Sequence, residues 1–126
     1  MRLFCLVIIG VLAAVSADAA ERPKARPMQA TAYCQSGTTV TGATTRKGIV
    51  AADPRVFPAG TVIRIDTPLR RYSGTYRVED TGAAVKGRVV DIYVRDCAAA
   101  RRFGRRRVMV HVVQPAPEAQ VAAAKE

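Results

Sequence analysis

Arg88-Val89-Val90-Asp91-Ile92-Tyr93-Val94 reads as a β-strand with apolar residues on both faces and one carboxylate in its middle. Successive side chains of a strand point to opposite faces. Val90, Ile92 and Val94 share one face, while Val89 and Tyr93 share the other with Asp91. Neither face suits open solvent, so the strand needs cover on both sides. Asp91 is the exception within it. Burying an unpaired carboxylate is costly, so the protein must pair it, hydrogen-bond it or raise its pKa. A raised pKa is what a general acid needs near neutral pH. A structural aspartate, held by backbone N–H groups or by one of the many arginines, is the competing reading.

Working outward, short segments of period two recur. Residues 29–34, 49–52, 61–66, 72–78 and 107–113 read as strands, with Gly74 marking a bend or bulge. Residues 36–48 are rich in Gly, Thr and Ser and read as a long loop. Residues 96–103 have an alanine-rich helical pattern, with Asp96 as N-cap and Gly104 as the stop. Many short strands with Gly and Pro between them, and one short helix, predict a mainly β fold, either a small barrel or a sandwich.

The N-terminus predicts export. Arg2 is followed by an apolar run over residues 3–15, and Ala17-Asp18-Ala19 offers the small residues a signal peptidase reads. Residues 1–19 are expected to be a cleaved signal, because the run falls short of the ~20 residues a spanning helix needs. Cys5 lies inside the run rather than after it, which argues against a lipid anchor. Residues 20–27 read as a flexible leader, 28–113 as one folded domain and 114–126 as a disordered tail interrupted by Pro115 and Pro117. The expectation is a monomer of the periplasm or cell wall with no membrane span after cleavage.

The formal net charge of +10 draws such a chain to polyanions. For an exported protein these are the carboxylates and phosphates of the envelope, and aromatic residues are too scarce to read nucleic-acid binding. Arg101, Arg102 and Arg105 to Arg107 concentrate charge at the helix end, as a wall-binding patch or a solvated face. Without Cys5, Cys34 and Cys97 remain. In an oxidising compartment they invite a disulfide closing a long loop, with two unrelated buried thiols as the alternative. They and His111 lack the spacing of a zinc site, so neither metal nor cofactor is expected.

Asp53 precedes Pro54 and Asp80 precedes Thr81-Gly82, and each alone reads as a turn residue. Together with Asp91 they could converge on one cleft, where neighbouring carboxylates raise one another's pKa. Tyr33, Thr41 and Gly42 suit a sugar-binding rim as well as an ordinary polar loop. Lys86, in the turn before the Asp91 strand, either holds a substrate carboxylate or faces solvent.

Further motifs recur in a telling order. Thr31-Ala32-Tyr33, Thr41-Gly42-Ala43, Gly48-Ile49-Val50-Ala51-Ala52-Asp53-Pro54 and Phe57-Pro58-Ala59-Gly60-Thr61 come first. Glu79-Asp80-Thr81-Gly82, Val85-Lys86-Gly87, Val90-Asp91-Ile92-Tyr93 and Phe103-Gly104-Arg105-Arg106 follow. This series resembles the three-aspartate (3D) domain, whose named aspartates match Asp53, Asp80 and Asp91. It is similar to the catalytic barrel of membrane-bound lytic transglycosylase A and to stationary-phase muralytic proteins. The resemblance implies a six-stranded double-psi β-barrel with one or two short helices. It also implies cleavage of the peptidoglycan glycan strand between N-acetylmuramic acid and N-acetylglucosamine. Asp91 would be the catalytic acid/base and Asp80 its supporting carboxylate, with Asp53 structural or cleft-lining and Thr41 and Lys86 bordering the cleft. Gly82-Ala83-Ala84 stands where the common pattern has two glycines and an alanine. Ala83 would be strained if its backbone needs positive φ. The expected activity is a lytic transglycosylase without a cofactor; the alternative is a non-catalytic wall-binding or wall-loosening module like an expansin.

Overall fold

The Asp91 strand is central, as its two apolar faces require. The computed structural model describes residues 24–126; the expected signal, residues 1–19, and Cys5 lie outside the described residues. In chain order the strands are β1 (Arg26–Tyr33), β2 (Ile49–Ala52), β3 (Val62–Asp66), β4 (Gly74–Asp80), β5 (Val89–Tyr93) and β6 (Arg106–Gln114). They close into a barrel in the order β1-β5-β2-β4-β3-β6. β1 with β5 and β2 with β4 run parallel, while the other four pairings are antiparallel. This is the double-psi barrel, and closure leaves no edge strand to protect.

One face of each strand fills the barrel. Val90 and Ile92 of β5 meet Ala30 of β1, Val50 and Ala52 of β2, Val78 of β4, Ile63 and Ile65 of β3, and Val108 and Val110 of β6. Phe57 and Phe103 plug the core from outside the strands. Val89, Asp91 and Tyr93 therefore face outward, and it is loops and neighbouring side chains that cover this face.

α1 (Cys97–Phe103) lies against β1. The Asp96 carboxylate accepts the Ala98 and Ala99 N–H groups at 2.8 and 3.3 Å, and Gly104 ends the helix at φ 64°. So short a helix has little stability of its own. Ala99, Ala100 and Phe103 bury its inner face, and Phe103 meets the Tyr72 ring edge-on at 5.2 Å. A Cys34–Cys97 disulfide ties its first residue to the end of β1, with the Cα atoms 5.1 Å apart.

The structure departs from the sequence reading in three places. β1 begins at Arg26, inside the expected leader, because Arg26 and Pro27 pair with Val110 and Met109 of β6. β5 joins β1 only from Gln29, so Pro27 lies where the strand has a single partner. The expected strand over residues 72–78 starts at Gly74, after a 3-10 turn over Arg70–Tyr72, and the bulge lies elsewhere. In the tail, read as disordered, Glu118–Ala124 forms a short helix, α2, whose alanines favour it and which buries no residue. No helix among the described residues is long and apolar enough to cross a membrane.

The disulfide spans a sequence separation of 63 residues. Replacing both cysteines by serine should lower the unfolding free energy by about 4 kcal/mol, the loop-closure entropy returned to the unfolded chain. Urea unfolding of the two forms measures it. A loss under about 1 kcal/mol would mean that chain entropy is not how the bridge acts.

Candidate functional site

A bulge brings two of the three aspartates together. Along β2 and β4, Val50 pairs with Val78 but Ala51 pairs with Asp80, so Glu79 is the extra residue. In a regular strand, with Glu79 taking its place in the ladder, Asp80 would share the inward face of Val78. The extra residue turns Asp80 outward, to the same side as Ala51. On its other edge Ala51 pairs with Asp91 of β5. Asp80 and Asp91 thus flank one buried alanine, each a single strand spacing of about 4.8 Å from it. A larger side chain at Ala51 would stand between them.

Thr31 pairs with Asp91 across β1 and donates its hydroxyl to Asp91 Oδ1 at 2.8 Å. Burial pushes the Asp91 carboxyl up, the Thr31 bond pulls it down, and the Asp80 carboxylate pushes it up again, with a net rise. Asp80 Oδ1 accepts the N–H groups of Val40 and Thr81 at 3.2 and 3.0 Å. Two residues along β1 from Thr31, on the same face, stands Tyr33. Its ring meets Tyr93 edge-on at 5.5 Å, and its buried hydroxyl has no partner among the described residues. Burial first, then the charges of Asp80 and Asp91, hold that hydroxyl protonated far above its usual range. A neutral O–H donor is left unspent beside two carboxylates.

These groups line a cleft of about 310 Å³, whose rim comes from Ser36, Gly37, Thr38 and Thr45 of the long loop and from Thr81 and Gly82. The loop is latched to β4 by the bulged residue, since Thr41 donates its hydroxyl to Glu79 Oε2 and its N–H to the Glu79 carbonyl. Gly82 passes so close to Val85 that a Cβ would lie 2.9 Å from Val85 Cγ2. Ala83, expected to be strained, has no positive φ and is exposed, so its methyl costs nothing.

The other expected site residues lie outside the cleft lining. Asp53 is buried at the end of β2 and accepts the N–H groups of Gly87 and Arg55 at 2.9 and 3.0 Å. Those bonds hold its carboxyl below the usual range, and it clamps β2 to the loop before β5. Lys86 is exposed and its charge acts on Asp53. Thr41 is spent on Glu79, and Gly42 supplies the φ of 86° that turns the loop. Within the arginine cluster, Arg106 donates to the Phe103 carbonyl at 2.8 Å and caps α1, while Arg101, Arg102, Arg105 and Arg107 are exposed. Thr31 and Ala51 escaped the sequence reading. Period two from Tyr33 would have found Thr31, whereas Ala51 needed the pairing of three strands.

Two stability changes of opposite sign follow. Asp53 has a lowered pKa, so its contribution is complete above the usual carboxylate range and lost as pH falls through the folded value. Asp53→Ala should cost about 2–3 kcal/mol for two lost charge-assisted bonds. Asp91 has a raised pKa, so it weakens the fold progressively as pH rises from the ordinary carboxylate range through the raised value, and the loss is complete above it. Asp91→Asn should therefore raise the Tm by a few degrees at neutral pH. Thermal unfolding checks both, and a lower Tm for Asp91→Asn would contradict the burial cost assigned here.

Comparison with known proteins places this geometry in a wider set. The Bacillus subtilis cell wall-binding protein YocH is 31% identical over 102 residues, 74% of this chain and 34% of YocH. YabE of the same organism, named for cell wall shaping, is 29% identical over 89 residues, 66% of this chain and 21% of YabE. The chain thus spans about a third or less of these relatives. Among solved structures, MltA from E. coli with bound chitohexaose matches at TM-score 0.54 and 20% identity, over 66% of this chain and 29% of MltA. A Streptomyces papain inhibitor matches at TM-score 0.56 and 14% identity, over 72% of this chain and 96% of the inhibitor. An expansin of Clavibacter michiganensis in complex with cellohexaose matches at 0.53 and 16%, over 75% of this chain and 53% of the expansin. At these identities the structures share the barrel. Residues 48–114 match the 3D domain, more than half of the chain, and the chain belongs to the 3D domain family.

Proposed function

We propose that this chain is an exported lytic transglycosylase of peptidoglycan, cutting the glycan between N-acetylmuramic acid and N-acetylglucosamine. The observation that carries the reading is the pair of carboxylates beside Ala51, one of them with a raised pKa, in a cleft that also holds a free hydroxyl donor. Wall-associated relatives and a barrel shared with a lytic transglycosylase support it.

Protonated Asp91 donates its proton to the glycosidic oxygen as the bond to the muramic acid C1 breaks. The same group, now a carboxylate, takes the proton of the muramic acid 6-hydroxyl. That oxygen bonds to C1 and closes a 1,6-anhydro ring. The proton count of Asp91 is restored and no water is consumed. The nucleophile is part of the substrate, so effective molarity is high. Asp80 lies where its negative charge favours both the protonated acid and the developing positive charge at C1.

A second reading is a non-catalytic wall-binding module. The wall-binding relative and the expansin barrel favour it. Mass spectrometry of purified peptidoglycan digested with the protein and with Asp91→Asn separates the two. Anhydro-muropeptides from the wild type alone are expected. Reducing-end products would mean hydrolysis, and no soluble product from protein that still pellets with the wall would favour the binding module.

The general acid must be protonated, so the rate should fall as pH rises through the raised Asp91 value. The Thr31 bond favours the ionised form. Thr31→Val should therefore move the falling limb of the pH profile to higher pH. A shift to lower pH, or none, would remove Asp91 as the titrating group.

A further inference from the structure

A second, larger cavity of about 760 Å³ opens beside the cleft. Ser36 and Thr45 line both, so the two adjoin along the long loop. β5 joins them as well. Asp91 stands in the cleft and Tyr93, two residues on and on the same face, stands in the larger cavity, about 7 Å away at the strand rise. Four cations surround this space, Arg46, Lys47, Arg71 and Arg95, and no acidic side chain lines it. Among the described residues the ion pairs are Arg64 with Asp66 and Arg77 with Glu79, so none of the four is neutralised. Arg71 is steadied over the Tyr72 ring at 4.8 Å.

Arg46, Lys47, Arg71 and Arg95 are all exposed, and four like charges around one cavity repel one another. An anionic ligand reverses that penalty, and guanidinium groups suit carboxylates through paired N–H donors. The glycan backbone of uncharged sugars gives such a cavity no purpose. The substituent on muramic acid does: its 3-O-lactyl group carries, by an amide at the lactyl carbonyl, a peptide with free carboxylates, leaving the sugar ring at the cleft. The aromatic walls, Tyr72 and Tyr93, suit the aliphatic parts of that peptide.

We propose that the larger cavity is the binding site for the carboxylate-bearing stem peptide of muramic acid, which makes the chain select peptide-substituted strands over bare glycan. The selectivity for cleavage rests on the function proposed above, whereas binding of the peptide does not.

The experiment has two arms. In the first, free stem tetrapeptide and inorganic phosphate are titrated separately into the full protein and into the Arg46→Gln/Arg71→Gln/Arg95→Gln variant, followed by backbone NMR. Saturable shifts from the peptide at residues 46, 71 and 95, weakened about tenfold in the variant, are expected, since each lost ion pair to an exposed charge is worth roughly two- to threefold and three are removed. Peptide with amidated carboxylates should bind as weakly. Phosphate binding without peptide binding would make the cavity a phosphate site and overturn the proposal, as would peptide shifts confined to residues elsewhere. In the second arm, kcat/KM is compared on peptide-bearing strands and on strands stripped by an amidase. A preference for the peptide-bearing strands that collapses in the triple variant is expected, and equal rates on both substrates would refute selection. If neither substrate is cut while the peptide still binds at the four cations, the site stands and the catalytic reading fails. Replacing the three arginines by lysine keeps the charge and should restore most of the binding, which separates charge recognition from loss of fold.

Discussion

The site depends on one extra residue in a strand. Glu79 is bulged out of the ladder opposite β2, and the outward aim of Asp80 and the anchoring of the cleft loop follow from that bulge. It reverses the side to which Asp80 points, which would otherwise place a carboxylate against Val78 in an apolar core. It leaves its own side chain free to hold Thr41, so the bulge both aims a carboxylate and anchors the loop that walls the cleft. A bulge resists slippage because one strand face is buried: any shift of register would send Val78 out and Asp80 in. The core therefore enforces the geometry of the site without contributing a functional group to it.

Holding that geometry has a cost, and the barrel carries it. Asp91 is half-buried with a single hydroxyl donor, and the Tyr33 hydroxyl is buried with none. Both lie beside another negative charge. Asp53 shows how the same side chain behaves where it serves fold stability alone. Two backbone N–H groups satisfy it, and its carboxyl becomes a stronger acid. The contrast is one of environment, since a strand middle offers a carboxylate no free N–H while a strand end offers two. The closed sheet, the small apolar core and the Cys34–Cys97 bridge offset the unfavourable terms at the cleft.

The fold was legible in the sequence to the extent that periodicity governs it. The two apolar faces of the Asp91 strand, the Asp96 N-cap and the Gly104 stop all lie in the structure where the residues put them, and the ordered motifs gave the barrel its class. Strand ends were less legible. Arg26 and Pro27 look like linker until β6 is beside them, and the alanines of residues 118–124 carry helix propensity without any burial to reveal it. At the site, Asp91 and Asp80 stood out, yet their convergence could not be read. It requires the count of residues along two paired strands, and one uncounted insertion moves a side chain to the opposite face. Thr41 and Lys86 looked like cleft residues by the motifs they belong to, Gly42 by its place in a polar loop, and Asp53 was open between a structural and a cleft-lining role. In space Thr41, Gly42 and Asp53 hold the loops around the cleft, and Lys86 is exposed.

The division between inward and outward residues also explains how such a barrel can serve proteins with different activities. Val90 and Ile92 alternate with Asp91 and Tyr93, so the same five-residue strand supplies the core from one face and two adjoining cavities from the other. Substitutions at Thr31, Asp80 or the loop cations leave core packing unchanged, since none of them is part of it. What the barrel does is thus set by a thin layer of residues on one side of a shared cylinder. In this chain that layer sets a carboxylate of raised pKa in one cavity and, two residues or about 7 Å along β5, Tyr93 in the next, which four cations line among the described residues.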